Sequence, residues 1–479
     1  MVHAARWRRI GSCVPLLALA TSLSACTRSG PKAESAIRLD EPEKSAASFS
    51  FPYYTDVVVV GDQVAAVFMT LKGPVDRNVV VRQSSDGGKT WSAPFVLNAP
   101  EYGDTISVAP KLAVEPGGGL LAVWQSRRNR AGQKFILARR STDFGRTWGP
   151  IERLNSAPQS FPPSVATRDD GTVLVAYSDE RNVERDIFVN RSTDGGATWL
   201  PADLALQPPG GKSESIGPWP VLGSGSDAWV IWEERRRGGP HLLAARSGDG
   251  GATWQQPVRV DPEGQPASPI WPMMVESGGR LTAVWTAGVV GDTMKSWLWV
   301  ASSADGGATW SAPQLFYEGP AQATFQLVAH GPHLYLVWSG GGSEGGMGVY
   351  MNASDDGGAT WRQPLDRPIR VDAGTGKTAS GRPRIALAGD ATIAVAWQEE
   401  DKRILLRASQ DGGKTWTSAP FEIAAVDKDR VRFPIVAATD TTAWVVWEQW
   451  ADMTGVRKTL ADVDKLTPLD VYARKVSLR

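Results

Sequence analysis

The chain contains only two cysteines and four histidines among its 479 residues. Both cysteines, Cys13 and Cys26, lie near the amino terminus, so the body of the chain has no thiol for a disulfide, a metal ligand or a nucleophile. The histidines form no recognisable zinc pattern, and no phosphate-binding glycine loop stands between a strand and a helix. We therefore expect neither a metal site nor a cofactor.

The chain also has no excess of charge of either sign, because 51 basic side chains balance 51 acidic ones. Such a chain has no overall field that attracts nucleic acid or an acidic membrane surface. We expect no nucleic-acid partner, and any ligand must be recognised locally. The 50 glycines and 33 prolines indicate many turns and favour an all-β fold.

The amino-terminal apolar run, Val14 to Ala20, is too short for a membrane-spanning helix of about twenty residues. It follows three arginines and precedes the sequence Leu23-Ser24-Ala25-Cys26. This arrangement resembles the signal of bacterial lipoproteins, in which the cysteine is lipidated and becomes the first residue of the mature chain. The alternatives are an ordinary secretory signal with an incidental cysteine, or an amino-terminal membrane helix.

The lipoprotein interpretation divides the chain into three parts. Residues 1–25 are the signal peptide, residues 26–36 are a flexible tether that begins with the lipidated Cys26, and residues 37–479 are the folded domain. We expect a protein of the cell envelope that contacts the membrane through its lipid anchor only.

A motif of eight residues, S-x-D-x-G-x-T-W, occurs seven times at intervals of 51 to 57 residues. A period of this size indicates a supersecondary unit repeated around a ring or along a solenoid. The alternation and the turn residues of each unit predict four short strands, with the motif as the hairpin between the third and the fourth. Its aspartate accepts backbone N–H groups and its glycine takes a positive φ. The aspartates are Asp86, Asp143, Asp194, Asp249, Asp305, Asp356 and Asp411.

A second series with the same period occurs eight times, because the second strand of each unit carries an aromatic residue at one equivalent position. The eighth unit has no motif, but the segment AIRLDEPE around Ile37 is similar to the ends of the fourth strands. We therefore predict a β-propeller of eight four-stranded blades closed by the amino-terminal strand, with seven blades as the alternative. The aromatic residues are Phe68, Trp124, Tyr177, Trp232, Trp285, Trp338, Trp397 and Trp447.

The repeated motif is known as the Asp-box or BNR repeat, and the chain resembles the sialidase superfamily of propellers over nearly all of its mature length. The resemblance implies a glycoside hydrolase that removes sialic acid from acidic glycans. In that family three arginines hold the substrate carboxylate, an aspartate is the acid/base, and a tyrosine polarised by a glutamate is the nucleophile. The fold also hosts other activities, so the motif specifies the fold better than the reaction.

The candidate site residues lie on one face of the predicted propeller. Successive hairpins alternate between the two ends, so the Asp-boxes share one face and the polar loops after the second strands share the other. Arg432 stands in R-F-P, which resembles the family's R-I-P signature, although here it opens the last unit. The predicted carboxylate binders are Arg181, Arg235, Arg382 and Arg432, and the predicted acid/base is Asp179 or Glu234.

The sequence assigns no tyrosine as the nucleophile, because Tyr177 and Tyr350 fall at packing positions. Each arginine cluster also has an alternative interpretation as a solvated ion pair worth at most about 1 kcal/mol. Two functions therefore stay open: a sialidase-type hydrolase acting on acidic glycans, or a non-catalytic propeller that binds a glycan or an envelope protein. We expect a monomer in either case. The tyrosines predicted in loops between blades are Tyr53, Tyr54, Tyr102 and Tyr317.

Overall fold

The computed structural model consists of β-strands and the turns that join them. No helix in the described part of the chain is long and apolar enough to cross a membrane. Cys26 and the signal peptide predicted for residues 1–25 lie outside that part, as do Tyr53, Tyr54 and Tyr102. The structure describes residues 33–40, 55–71, 77–98, 104–128, 132–207, 214–236, 239–262, 268–288, 296–319, 324–341, 347–374, 378–450 and 469–478.

The described strands pair into eight antiparallel groups of four, which we number units 1 to 8 along the chain. The first strands are β2 (Asp56–Val60), β6 (Asp104–Val114), β10 (Ser164–Thr167), β14 (Glu214–Leu222), β18 (Ser268–Ser277), β22 (Phe325–His330), β26 (Ser380–Ala388) and β30 (Arg430–Ala438). The second strands are β3 (Gln63–Leu71), β7 (Leu120–Arg128), β11 (Val173–Asn182), β15 (Ala228–Arg236), β19 (Arg280–Gly288), β23 (His333–Gly341), β27 (Thr392–Glu399) and β31 (Thr442–Trp450).

The third strands are β4 (Arg77–Ser84), β8 (Gln133–Ser141), β12 (Glu184–Ser192), β16 (Gly239–Ser247), β20 (Ser296–Ser303), β24 (Met347–Ser354), β28 (Arg403–Ser409) and β32 (Leu469–Ser477). The fourth strands are β5 (Phe95–Val96), β9 (Ile151–Arg153), β13 (Leu204–Ala205), β17 (Val258–Arg259), β21 (Gln314–Gly319), β25 (Ile369–Arg370), β29 (Phe421–Ala425) and, in unit 8, β1 (Ile37–Arg38). A single parallel pair, Arg77 with Ile106, joins units 1 and 2.

The first strand of each unit contacts the first strand of the next, and β2 of unit 1 contacts β30 of unit 8. The hydrophobic clusters lie between neighbouring units, and the eight second-strand aromatics in them are almost completely buried, none more than 1% exposed. This is the arrangement of a β-propeller, so the prediction of an all-β propeller with four-stranded blades is confirmed.

The Asp-box closes the hairpin between the third and the fourth strand in seven units. In unit 4, the hydroxyl of Ser247 donates to Asp249 at 2.7 Å, while Asp249 accepts the backbone N–H of Thr253 at 2.8 Å and its hydroxyl at 2.6 Å. The hydrogen bond from Thr253 is the main reason why the pKa of Asp249 falls to about 2. The N–H of Gly250 donates to Ser226 in the turn between the first two strands, so boxes and these turns share one face, as predicted.

Unit 8 joins the two ends of the described chain. Ile37 pairs with Ala473 and Arg38 with Tyr472, which makes the amino-terminal strand the outer strand of this unit. Asp40 accepts the backbone N–H of Val471 at 3.2 Å. Asn98, Asn155, Asp261 and Asp372 accept the equivalent third-strand N–H groups in four other units. This shared bond explains the similarity between the segment around Ile37 and the fourth-strand ends.

The junction of units 1 and 8 gives a stability prediction. At Gly88, with a φ of +82°, a Cβ atom would lie 2.1 Å from two ring carbons of Trp444, whereas at Gly117, with a φ of +86°, it would meet nothing within 4 Å. We expect Gly117→Ala to lower the free energy of unfolding by about 1 kcal/mol, from backbone strain alone. Gly88→Ala adds the clash and should cost about 2 to 4 kcal/mol.

Urea unfolding of the two variants measures this difference. Equal losses in Gly88→Ala and Gly117→Ala would contradict close packing of Trp444 against the first Asp-box.

Candidate functional site

The end of the ring opposite the Asp-boxes, where second strands end and first strands begin, is called the polar face below. In seven units a polar residue directly follows the buried second-strand aromatic, and none of these residues is more than 8% exposed. Buried polar groups need hydrogen-bond partners. Gln398, for example, accepts the backbone N–H of Phe433 in the next unit at 3.2 Å. The seven residues are Gln125, Ser178, Glu233, Thr286, Ser339, Gln398 and Glu448.

A β-bulge near the start of the first strand recurs in five units. In each bulge the residue before a proline has a positive φ, between 53° and 61°. A bulge re-aims side chains, so these positions are natural places for functional groups. The recurring residue–proline pair is a sequence signal by which all five bulges could be found. The bulge residues are Ala109, Gly217, Trp271, Arg382 and Phe433.

Arg382 of unit 7 and Arg432 of unit 8 share one buried acidic neighbour, Glu448. Arg432 lies opposite Glu448 in the strand pairing, and the guanidinium of Arg382 lies 4.3 Å from the centre of the Phe433 ring. Both arginines interact electrostatically with Glu448. Arg432 also forms an ion pair with Asp401, and its side chain is 26% exposed. Two guanidiniums therefore lie on the polar face beside one buried acid.

Burial raises the pKa of Glu448 to about 7. The side chain is 3% exposed, and the indole N–H of Trp450 donates to Oε2 at 3.3 Å. This bond and the two arginines oppose the effect of burial without overcoming it. Glu448 is thus held in the range in which a carboxyl both gives up and takes up a proton near neutral pH.

A second group of charged side chains joins units 1, 2 and 7. Arg384 interacts electrostatically with Asp56 of unit 1 and Lys111 of unit 2. Enclosure by protein raises the pKa of Asp56 and lowers that of Lys111. Asp56 accepts the backbone N–H of Leu112 at 3.1 Å, so it also links two neighbouring first strands. Side chains of units 1, 2 and 7 therefore meet in one group.

Asp179 and Arg181 lie in unit 3 and are bound to each other. Asp179 has no exposed surface and accepts from Nε of Arg181 at 3.0 Å. The same guanidinium donates to both carboxylate oxygens of Asp203, at 2.9 and 2.5 Å, and lies 3.8 Å from the centre of the Phe188 ring. Burial opposes the charge of Arg181, but the hydrogen bonds from Asp203 and Asp179 outweigh it and raise its pKa.

Glu234 and Arg235 are neighbours in unit 4 with different environments. Glu234 is 1% exposed and accepts hydrogen bonds from the hydroxyl of Ser215 and, at 3.3 Å, from the indole N–H of Trp232. Arg235 is 46% exposed, and its Nε donates to Glu233 at 2.6 Å. Asp203 and Glu233, which hold the two arginines of units 3 and 4, were not among the residues selected from the sequence.

The structure therefore divides the six predicted site residues into two sets. Arg382 and Arg432 meet in units 7 and 8, whereas the other four lie in units 3 and 4. Around the ring of first strands, units 5 and 6 separate the sets on one side and units 1 and 2 on the other. The residues of units 3 and 4 are Asp179, Arg181, Glu234 and Arg235.

Each described tyrosine that was a candidate nucleophile makes a hydrogen bond or a ring contact within the protein. Tyr177 donates to Asp203 at 2.6 Å, and the hydroxyl of Tyr317 accepts the N–H of Gly341 at 2.9 Å. Tyr350 stacks on Trp338 with ring centres 6.0 Å apart. Within the described ranges, no three His, Cys, Asp or Glu side chains are grouped so that they could hold a metal ion.

Comparison with known families gives one match over most of the chain. The model of the BNR repeat-like domain matches residues 64–322 and 227–461. A sialidase of Micromonospora viridifaciens is 32% identical over 128 residues, which cover 21% of this chain and 20% of that protein. The match thus spans about a fifth of the length of this relative.

The solved structures that are similar to this chain are distant in sequence. An ulvan lyase bound to an oligosaccharide of GlcA and Rha3S is 11% identical, with a TM-score of 0.47, and the alignment covers 91% of this chain and all of that one. An α-L-arabinanase of Penicillium chrysogenum complexed with arabinobiose is 15% identical, with a TM-score of 0.40, covering 65% and 94% of the two chains.

The raised pKa of Glu448 gives a pH-dependent prediction. In the unfolded chain this carboxyl loses its proton near its ordinary pKa of 4.5, but in the folded protein only near 7. Between these values the folded state binds more protons, so stability falls as pH rises. Glu448→Gln removes this loss and should make the protein more stable than wild type at pH 8 by about 1 to 3 kcal/mol, with little difference at pH 4.5.

Chemical unfolding at both pH values tests this, with Glu152→Gln at an exposed glutamate as the control. Burial also raises the pKa of Glu115 to about 7, but this group is present in every variant and cancels in the comparison. A stability difference for Glu448→Gln that is the same at pH 4.5 and pH 8 would contradict the raised pKa.

Proposed function

The chain belongs to the BNR repeat-like family, and from this premise we propose that it is a carbohydrate-active propeller that binds an acidic glycan on its polar face through Arg382 and Arg432. The observation that carries the proposal is the meeting of two guanidiniums from neighbouring units beside one buried acid, Glu448. A planar guanidinium forms paired hydrogen bonds with a carboxylate, which a lysine does not.

Glu448 favours rather than opposes an incoming anion. With a pKa of about 7 it is protonated in about half of the molecules at neutral pH. A protonated carboxyl has a hydrogen to donate to the ligand carboxylate and adds no negative charge. An anion bound beside Arg382 and Arg432 would raise this pKa further, so binding and protonation support each other.

Arg181 and Arg235 have other roles in this proposal. Arg181 is saturated by Asp179 and Asp203, so an incoming carboxylate would have to displace a buried acid. Arg235 is half-exposed but lies in unit 4, outside the cluster of units 7 and 8. We assign Arg181 to the support of unit 3 and Arg235 to a more distant part of the glycan.

The full architecture in this proposal is a closed ring of eight blades with the amino-terminal strand as the outer strand of the last blade. The eight four-stranded units, the contact of β2 with β30 and the pairing of Ile37 with Ala473 support it. An eight-bladed ring leaves a wide channel, which agrees with the partition of the candidate residues into two sets.

A second candidate function is hydrolysis of a sialoside. It is favoured by Glu448, whose pKa of about 7 suits a general acid, and by the partial similarity to a sialidase. Asp179 and Glu234 remain predicted acid/base residues, but both are enclosed by protein.

The binding prediction concerns the two arginines. Arg382→Lys and Arg432→Lys keep the charge but lose the paired contact, so each should weaken binding of acidic oligosaccharides on a glycan array about tenfold or more. Arg146→Lys, at an exposed arginine in the Asp-box of unit 2, should have no effect. Equal binding by all four proteins would overturn the assignment of the site.

The same samples distinguish binding from hydrolysis when they are given a fluorogenic α-sialoside. Turnover that the arginine variants abolish supports the hydrolase. Binding without turnover supports the non-catalytic glycan-binding function.

We also propose that the protein is held at the cell envelope by lipid on Cys26, where its partner is an acidic glycan or an envelope protein, and that it acts as a monomer. Cys26→Ser should move the protein from the membrane fraction to the soluble fraction, because a lost thioether removes the acyl chains. Cys13→Ser changes the other cysteine and should leave the distribution unchanged. Sedimentation with membranes in both variants would contradict the anchor.

A further inference from the structure

Trp271 is half-exposed on the polar face, although most large aromatic side chains of the described residues are buried. It lies in the bulge of β18 in unit 5 and has a φ of +53° before Pro272. A tryptophan in the left-handed region is rare, and the following proline restricts the backbone further. Burial of the ring does not explain this conformation, because half of the side chain faces solvent.

Contacts on both sides hold the backbone of Trp271 in place. The hydroxyl of Thr286 donates to the carbonyl of Ile270 at 3.3 Å, and the N–H of Trp271 interacts with the carboxylate of Glu233 in unit 4. Glu233 also accepts from Nε of Arg235 at 2.6 Å. One buried carboxylate therefore binds both the backbone of Trp271 and the guanidinium of Arg235, across the boundary between two units.

Acidic side chains outnumber basic ones around Arg235. Arg235 is paired with Glu233, and Arg185 of unit 3 lies 2.9 Å from both Glu180 and Glu214. Glu233 is 1% exposed, so its carboxyl is not accessible to a ligand. The exposed ring of Trp271 offers an apolar plane, Arg235 offers guanidinium donors, and the excess of acidic side chains disfavours an acidic ligand group.

We propose that Trp271 and Arg235 form a subsite for a neutral pyranose ring, with Trp271 stacking on its C–H face and Arg235 donating to its hydroxyl groups. Glu233 is a positioning residue in this subsite, because it acts through the other two. The inference rests on the proposed glycan-binding function and extends it: units 7 and 8 take the acidic sugar, and units 4 and 5 take a neutral sugar of the same glycan.

The other bulges provide a variant that keeps the backbone conformation. Gly217 occupies the same bulge position before a proline in unit 4, with a φ of +61°. Trp271→Gly therefore gives unit 5 a residue that a neighbouring unit already uses there, and it removes the ring without straining the fold. Trp271→Phe keeps an aromatic plane. Val183→Ala is the matched control, because Val183 is 89% exposed and also has a positive φ, in a turn on the same face.

The experiment measures binding of the wild type and these variants to an array of neutral and acidic oligosaccharides, followed by titration with the neutral oligosaccharide that binds best. We expect Trp271→Gly to weaken binding of neutral oligosaccharides about tenfold, as loss of a stacking partner does, Trp271→Phe to weaken it about threefold at most, and Val183→Ala to leave it unchanged. Arg382→Lys should weaken binding of acidic oligosaccharides only.

Fluorine NMR tests whether the oligosaccharide contacts Trp271 directly. In protein labelled with 5-fluorotryptophan, the resonance missing from Trp271→Gly belongs to Trp271. This resonance should shift when the neutral oligosaccharide is added to the wild type.

The outcomes separate this inference from the proposed function. Neutral oligosaccharides that bind Trp271→Gly as tightly as wild type, or that leave the Trp271 resonance unmoved, overturn the subsite. Binding of neutral oligosaccharides that depends on Trp271, without any binding of acidic ones, overturns the acidic-glycan function and supports the subsite. A wild-type protein that binds no oligosaccharide overturns both.

Discussion

The carboxylate of each Asp-box holds the hairpin turns at one end of the propeller in place. By accepting the N–H and the hydroxyl of a threonine four residues later, it folds the chain back within one hairpin. The backbone N–H of the glycine after the aspartate then donates to the turn between the first two strands and links the hairpin to that turn. Short, internally bonded turns leave few polar groups for a ligand. With one end closed in this way in seven units, the longer connections and the buried polar residues gather at the other end.

The fold can be predicted from the sequence because the Asp-box and the second-strand aromatic each meet a local physical requirement. A glycine with positive φ and an aspartate cap are needed wherever the hairpin forms, and a large aromatic is needed wherever two blades pack. The candidate site depends instead on contacts between distant positions. Arg181 is held by Asp203, 22 residues away, and Arg382 lies over Phe433 of the next unit. No periodicity distinguishes an arginine held in this way from one available to a ligand.

The β-bulges show that one backbone feature carries different side chains in different units. In unit 2 the bulge residue is Ala109, which is buried, whereas in unit 5 it is Trp271, which is half-exposed. A proline fixes the backbone after each, so the position is maintained whatever side chain it carries. Such positions vary in chemistry without disturbing the strands, and a repeat protein builds an asymmetric site on a symmetric scaffold in this way.

The two arginine clusters differ in the number of carboxylates for each guanidinium. In unit 3 one guanidinium faces two carboxylates, Asp179 and Asp203, both with little exposure, so the cluster is already saturated with negative charge. In units 7 and 8, Arg382 and Arg432 face Asp401 and Glu448, and the second of these acids is only partly ionised at neutral pH because it is buried. In the proposed function, an incoming anion would therefore meet less negative charge in units 7 and 8 than in unit 3, where it would have to compete with a buried acid. Both clusters place arginines on the polar face, but the protonation of Glu448 gives them different net charges.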